Sequence, residues 1–337
     1  SEQPDPNRIK LVNIGSVAMT GDRLGCIHLG RVGDPLKPSI YDAYAVSKIA
    51  AERIVIESGL RYWVSCRQTY IAIPEILSLM APIMFHQPIN THIEFVTPGD
   101  AGRLLANACE DDVPDEFWRR IYNIGGGSEC RVIFIEYLDR VFRLLGLGDY
   151  RKLMDRNWFA LRNFHCQWFE DSDVLESYLH FRRDTLEDHL RQIKEHAQWY
   201  IKLAGLPGVR HLLPKPLLKK FVFEPLTRGK DGTMYWIRNN VEGRITAFFG
   251  SRERWAQIPP WGVDMPDCHN ITPIRLSHGY DESKPKSELD IKDMQEAAKF
   301  RGGGCLSPSM VKGDLTTKLR WRCAFGHEFL ASPTLVL

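Results

Sequence analysis

Apolar and polar positions divide the chain into alternating strand-like and helix-like segments. Arg8-Ile-Lys-Leu-Val-Asn-Ile14 alternates and then turns apolar, the pattern of a buried strand, and it delivers Ser16 at its carboxyl end. Tyr41 to Ser58 has helical spacing, with Ile49, Ile54 and Val55 predicted inward and Gly59 as the stop. A second strand is predicted over Tyr62 to Thr69, a helix from Asp100 to Cys109 and a strand from Arg119 to Ile124. Arg131 to Leu147 reads as an amphipathic helix, apolar at Val132, Ile135, Leu138, Val141, Phe142 and Leu145. Asp184 and Glu187 form a capping box before another stripe, Leu186, Leu190, Ile193, Ala197 and Tyr200, which Gly205 and Pro207 stop. Strands alternating with helices predict an α/β fold with a parallel sheet.

Beyond Pro207 the pattern changes. Phe221-Val-Phe223, Thr233-Met-Tyr-Trp-Ile237 and Arg244-Ile-Thr-Ala-Phe-Phe249 are strand-like, separated by Lys230-Asp-Gly232 and Asn239-Asn240 turn signals. They predict a small antiparallel β module over residues 217–262, after a first domain of residues 1–206. Residues 263–300 read as a linker with a helix, and 301–337 as a separate tail.

Composition narrows the class. The 337 residues carry 44% hydrophobic and 26% charged positions, as in soluble globular proteins with ample core material. The net charge of +2 offers no electrostatic case for nucleic acid or an anionic membrane. No apolar run approaches the roughly 20 residues of a membrane helix. The eight cysteines form no compact disulfide framework, which fits a reducing cytoplasm.

The chemistry centres on Tyr44-Ala-Val-Ser-Lys48. A Tyr and a Lys four residues apart on a helix share a face, and the ammonium stabilises the phenolate that acid/base work requires. Ser16 sits at a strand's carboxyl end, where open α/β sheets bind ligands. This constellation resembles the Ser-Tyr-Lys triad of the extended short-chain dehydrogenase/reductases, the NAD-dependent epimerase/dehydratase family. Four further blocks, in family order, carry the resemblance: Gly15 to Gly21, Trp63 to Thr69, Phe95-Val-Thr-Pro-Gly-Asp-Ala101 and Ile121-Tyr-Asn-Ile-Gly125. The family's Gly-rich turn that holds the pyrophosphate is not found. Gly125-Gly-Gly127, Gly146-Leu-Gly148 and Gly302-Gly-Gly304 all lack the further glycine. The expected fold is therefore an incomplete Rossmann-like parallel sheet with helices, followed by the antiparallel module.

The resemblance implies an NAD(P)-dependent oxidoreductase, epimerase or dehydratase acting on a hydroxyl carbon of a nucleotide sugar. Tyr44 would take the hydroxyl proton, Lys48 would hold the cofactor ribose, Ser16 would orient the substrate oxygen, and Thr69 would touch the nicotinamide side. It also implies a homodimer through the tyrosine helix. Tyr70 stands where the family carries a smaller or amide residue. The alternative is a non-catalytic binding or interaction protein. The tail, Gly302-Gly-Gly-Cys-Leu-Ser307 with Lys318 to Phe329, resembles part of a zinc ribbon: Cys323 and His327 have ligand spacing and Cys305 is the third donor. Structural zinc takes four ligands, so this site reads as half of one.

Overall fold

The computed structural model describes residues 5–23, 29–75, 80–197, 214–269 and 273–337. β1 (Lys10–Ser16), α1 (Ala43–Ile56) and β2 (Tyr62–Gln68) form a βαβ unit. β1 and β2 pair in parallel from Lys10 opposite Tyr62 to Ser16 opposite Gln68. After β3 (His92–Glu94) and α2 (Pro98–Asn107), β4 (Arg120–Asn123) adds to the other side of β2, again in parallel. The sheet order is β1-β2-β4. β5 (Arg131–Ile133) then pairs antiparallel with β3 and runs into α3 (Phe134–Leu144), followed by α4 (Ser172–Leu179) and α5 (Leu186–His196). The architecture is mixed α/β, a partial Rossmann-like parallel sheet flanked by helices.

Local sequence explains most element ends. Asp42 caps α1 by accepting the Ala45 N–H at 2.9 Å, and Thr97 caps α2 ahead of Pro98. The capping box of α5 is formed by Thr185 and Asp188, one residue beyond the predicted pair. Tyr200 and the stop at Gly205 and Pro207 fall outside the described residues. On α1 the buried face differs from the prediction. Ile54 is 71% exposed, and the inward positions are Ala45, Glu52 and Ile56. Glu52 takes the core-facing place because Arg67 on β2 meets it there at 2.7 Å, with Ser65 Oγ donating to the same carboxylate. A charge can replace an aliphatic side chain at such a position when it is paired and hydrogen-bonded.

The expected β meander of residues 217–262 is absent; that stretch is helical. It contains Lys215–Leu218, Glu224–Arg228, Thr233–Arg238, Glu242–Phe249 and Arg252–Ala256. Short aromatic runs do not separate strand from helix by period, and here tertiary packing overrides their β-propensity. Phe223, Trp236, Ile237, Ile245, Phe248 and Phe249 join Leu138, Val141, Phe142 and Trp158 in one buried core. A small antiparallel sheet does occur, but in the tail: β6 (Gly304–Cys305), β7 (Leu319–Arg322) and β8 (Glu328–Ala331). The helix Ile291–Phe300 covers it, sharing a core of Met294, Ala298, Leu319 and Trp321.

One buried carboxylate fastens the segments behind the sheet. Glu94, fully buried at the end of β3, accepts from Gly127 N (3.1 Å), Arg131 Nε (2.8 Å), Phe169 N (3.0 Å) and Ser172 Oγ (2.5 Å). Four donors compensate its desolvation, as a buried carboxylate requires.

Candidate active site

Ser16 ends β1 at 7% exposure, and the chain then folds into a tight turn over Val17–Thr20. Its Oγ accepts the Ala18 N–H at 3.1 Å, which fixes the hydroxyl oxygen and leaves its proton free to donate. Gly21 closes the turn at φ +65°, with the Lys37 carbonyl so near that a Cβ would stand 1.5 Å from it. Glycine is the residue such a backbone position demands.

Tyr44 occupies the first turn of α1 and is 55% exposed. Lys48, one turn on, donates to the Ile14 carbonyl at 2.8 Å, and its Nζ lies 5.6 Å from the Tyr44 ring centroid. The tether runs from helix to β1, so strand and helix together set the ammonium's position. A cation at this distance over an aromatic face is attracted by the ring.

Ser16, Tyr44 and Thr69 line one cavity of about 420 Å³. Its apolar lining includes Met80, Ile83, Met84, Phe134, Leu138 and Phe142. The Thr69 hydroxyl donates to the Glu94 carbonyl at 2.7 Å, so its oxygen can offer a ligand only lone pairs. Tyr70 also reaches the cavity, and burial pushes its phenol up to about 12, with Cys166 nearby as the second cause. The Cys166 thiol is likewise pushed up to about 12 by burial. These groups stay protonated at neutral pH.

Sequence reasoning did not select two polar groups of this cavity, Gln87 and His165. Gln87 is 8% exposed, and its Nε2 is buried without a hydrogen-bond partner. An unmet buried donor costs about 1–3 kcal/mol, which a ligand oxygen would recover. No sequence signal marks Gln87. His165 stands in the aromatic run from Trp158 to Tyr178, and the aromatic density was its one visible sign.

The tail pair is differently placed. Cys323 Sγ and His327 Nδ1 lie 3.6 Å apart across the turn joining β7 to β8, where Cys323 N donates to the His327 carbonyl at 2.9 Å. Cys305 sits opposite Trp321 and packs on the small tail core. Among the described residues, no group of three or more His, Cys, Asp or Glu side chains is arranged to hold a metal. None of the described helices is long and apolar enough to cross a membrane.

No protein-family model matches the chain, and no curated protein does. Solved structures do. A dTDP-glucose 4,6-dehydratase from Bacillus anthracis in complex with NAD is 17% identical with a TM-score of 0.45, covering 58% of this chain and 63% of its own. A UDP-glucuronic acid 4-epimerase from Bacillus cereus, in complex with UDP-glucuronic acid and NAD, is 15% identical with a TM-score of 0.42 over 58% and 63%. The Bordetella bronchiseptica enzyme WbmG in complex with NAD is 15% identical with a TM-score of 0.39 over 59% and 61%. The chain thus spans a little under two thirds of the length of each of these structures, to which it is similar at low identity.

Proposed function

We propose that the chain carries the catalytic residues of an NAD(P)-dependent enzyme that oxidises a hydroxyl carbon of a nucleotide sugar, through Ser16, Tyr44 and Lys48. The observation that carries this reading is the shared cavity. The Ser16 and Tyr44 side chains open into one space of about 420 Å³, and Lys48 is tethered to the Ile14 carbonyl on the Tyr44 face.

Tyr44 takes the proton of the substrate hydroxyl. The free Ser16 O–H donates to the same substrate oxygen, and so orients it as it becomes a carbonyl oxygen. Lys48 spends one N–H on Ile14, which leaves two for the ribose hydroxyls of a dinucleotide. The unpartnered Nε2 of Gln87 offers a further donor to a ligand oxygen. The donor set therefore fits a dinucleotide at this end of the sheet. When bound, the nicotinamide supplies the hydride acceptor. The apolar lining leaves a ligand few polar partners beyond Ser16, Tyr44, Gln87 and their neighbours. NAD and NADP are both accommodated by this reading, and α1 is the face through which two copies would associate.

The test is a single turnover of the intact protein with NAD(P) and UDP-glucose or UDP-glucuronic acid, followed by transient nicotinamide absorbance and by NMR of the sugar. Turnover that vanishes in Tyr44→Phe while cofactor still binds is the expected result. Retained turnover in that variant sinks the role given to Tyr44. A second reading, a binding protein without turnover, is favoured by the Thr69 hydroxyl being committed to Glu94. Cofactor binding with no oxidation of any sugar nucleotide would select it.

A further inference from the structure

One titratable group of the cavity has no task in the reading above. His165 lines it together with Ser16 and Tyr44. The imidazole lies flat on the Phe164 ring, with centroids 4.7 Å apart and planes at 10°. Its Nδ1 stands 3.7 Å from Asp42 Oδ2. Asp42 is the cap of α1, and its Oδ1 is occupied by the Ala45 N–H. One carboxylate thus fixes the helix that bears Tyr44 and faces the imidazole.

The two sides are also tied together. Ile40 N donates to Asn163 Oδ1 at 2.7 Å, and Asn163 Nδ2 returns to the Ile40 carbonyl at 3.0 Å. Asn163 N donates to Asp22 Oδ2 at 2.9 Å. The segment before His165 is therefore pinned to the loop before α1. A carboxylate beside Nδ1 favours the proton on that nitrogen and leaves the Nε2 lone pair available.

The remaining titratable groups do not compete. Among the described residues no Asp, Glu, Lys or Arg lines the cavity; Tyr44, Tyr70, Tyr137 and Cys166 do. Burial raises Tyr70, Tyr137 and Cys166, so they stay protonated. From α1, Asp42 faces the imidazole, and Lys48 is tethered to Ile14. Burial holds His165 below the ordinary imidazole range, with Asp42 opposing in part. At neutral pH the ring is an uncharged base.

We propose that His165, positioned by Asp42, takes a proton from the carbon beside the ketone that Tyr44 helps to form. This rests on the function proposed above, and it places the reaction among epimerisations or dehydrations rather than simple oxidations. The C–H bond breaks and its electron pair becomes a C=C bond to the carbonyl carbon. The carbonyl π pair moves to oxygen, where Ser16 donates. The proton resides on Nε2, and Asp42 stabilises the imidazolium. Inversion follows when a protonated phenol of the cavity, Tyr70 or Tyr137, gives its proton to the other face and the imidazolium proton restores that phenol. Alternatively, a β-hydroxyl leaves as hydroxide and takes the imidazolium proton as water.

The experiment supplies the ketone directly, as a nucleoside-diphosphate 4-ketohexose in D₂O, with the intact protein and NMR readout of deuterium at the flanking carbon. Wash-in by the wild type should fall about 100-fold in His165→Gln, the scale of a lost general base. Asp42→Asn retains a capping side chain but loses the charge that raises His165, so the acidic limb of the rate profile should move to lower pH. Wild-type exchange no faster than buffer, or full exchange in His165→Gln, overturns the proposal. An unmoved limb in Asp42→Asn removes Asp42 from it. Because the ketone is supplied, the hydride step is not required. Lost single-turnover nicotinamide reduction with exchange retained indicts the Tyr44-Lys48 hydride-step reading alone.

Discussion

Two residue pairs in this chain have the same spacing and opposite surroundings. Tyr44 and Lys48 are one helical turn apart on α1; Cys323 and His327 face each other across the hairpin turn between β7 and β8. Both spacings bring side chains together. Around the first pair stand a strand end, a tether to Ile14 and a cavity. Around the second is solvent: His327 is exposed, and Phe325 at the tip is 88% exposed. Spacing secures proximity, whereas chemistry needs what converges from elsewhere in the fold.

The comparison breaks most sharply at Tyr44. Tyr44→Phe should lower single-turnover nicotinamide reduction about 10³-fold, within the range for a lost general acid/base, with cofactor binding retained by calorimetry. A smaller loss than tenfold would leave the helical pair no more chemical than the hairpin pair. Next is the support of α1. Glu52→Ala strands the Arg67 guanidinium in the core and should cost about 3–5 kcal/mol in denaturant unfolding. A cost below about 1 kcal/mol would show that the ion pair does not hold the helix.

The pH response adds a buried imidazole to the comparison. His189, fully buried behind the cavity, has its pKa lowered to about 4 by burial, and its Nε2 pairs with Tyr137 OH at 2.8 Å. Its folded value lies below the unfolded one. The neutral ring's contribution is therefore complete above about pH 6.5 and is lost as pH falls toward 4. The melting temperature should drop across that window, and drop less in His189→Gln.

The smallest effects belong to the tail and the outer face of α1. Micromolar Zn²⁺ should shift the melting temperature by less than about 1 °C, because two donors bind the ion weakly. A shift of several degrees, lost in Cys323→Ala, would reinstate a metal site there. Ile54→Ser should change stability by no more than about 0.5 kcal/mol in a monomer. A changed mass by light scattering would identify α1 as a subunit contact.

The parallel sheet and the placement of Ser16 at a strand end and of Tyr44 and Lys48 on one helix were legible because each rests on a local pattern. Ser16 follows an apolar strand, and Tyr44 and Lys48 share a helix behind the cap Asp42. The inward face of α1 was misread, since a rule placing aliphatic residues inward cannot foresee Glu52 meeting Arg67 from another strand. The helices of residues 215–256 were misread for a related reason. Runs such as Thr233 to Ile237 are too short and too uniformly apolar for a period, and their partners in the core are distant in sequence. Gln87 and His165 became visible as site residues only when β3, α1 and the aromatic run closed around one cavity.

The lining of that cavity has two mechanical characters. The α1 side is nailed down by Glu52 on Arg67 and by Lys48 on a strand carbonyl, and both are polar bonds of fixed direction. Met80 and Met84 in the same lining offer contacts without direction, from side chains that repack at little cost. A bulky ligand would be accommodated by the two thioethers before it disturbed the polar bonds of α1. Traffic through the site is thereby uncoupled from alignment of the reacting atoms.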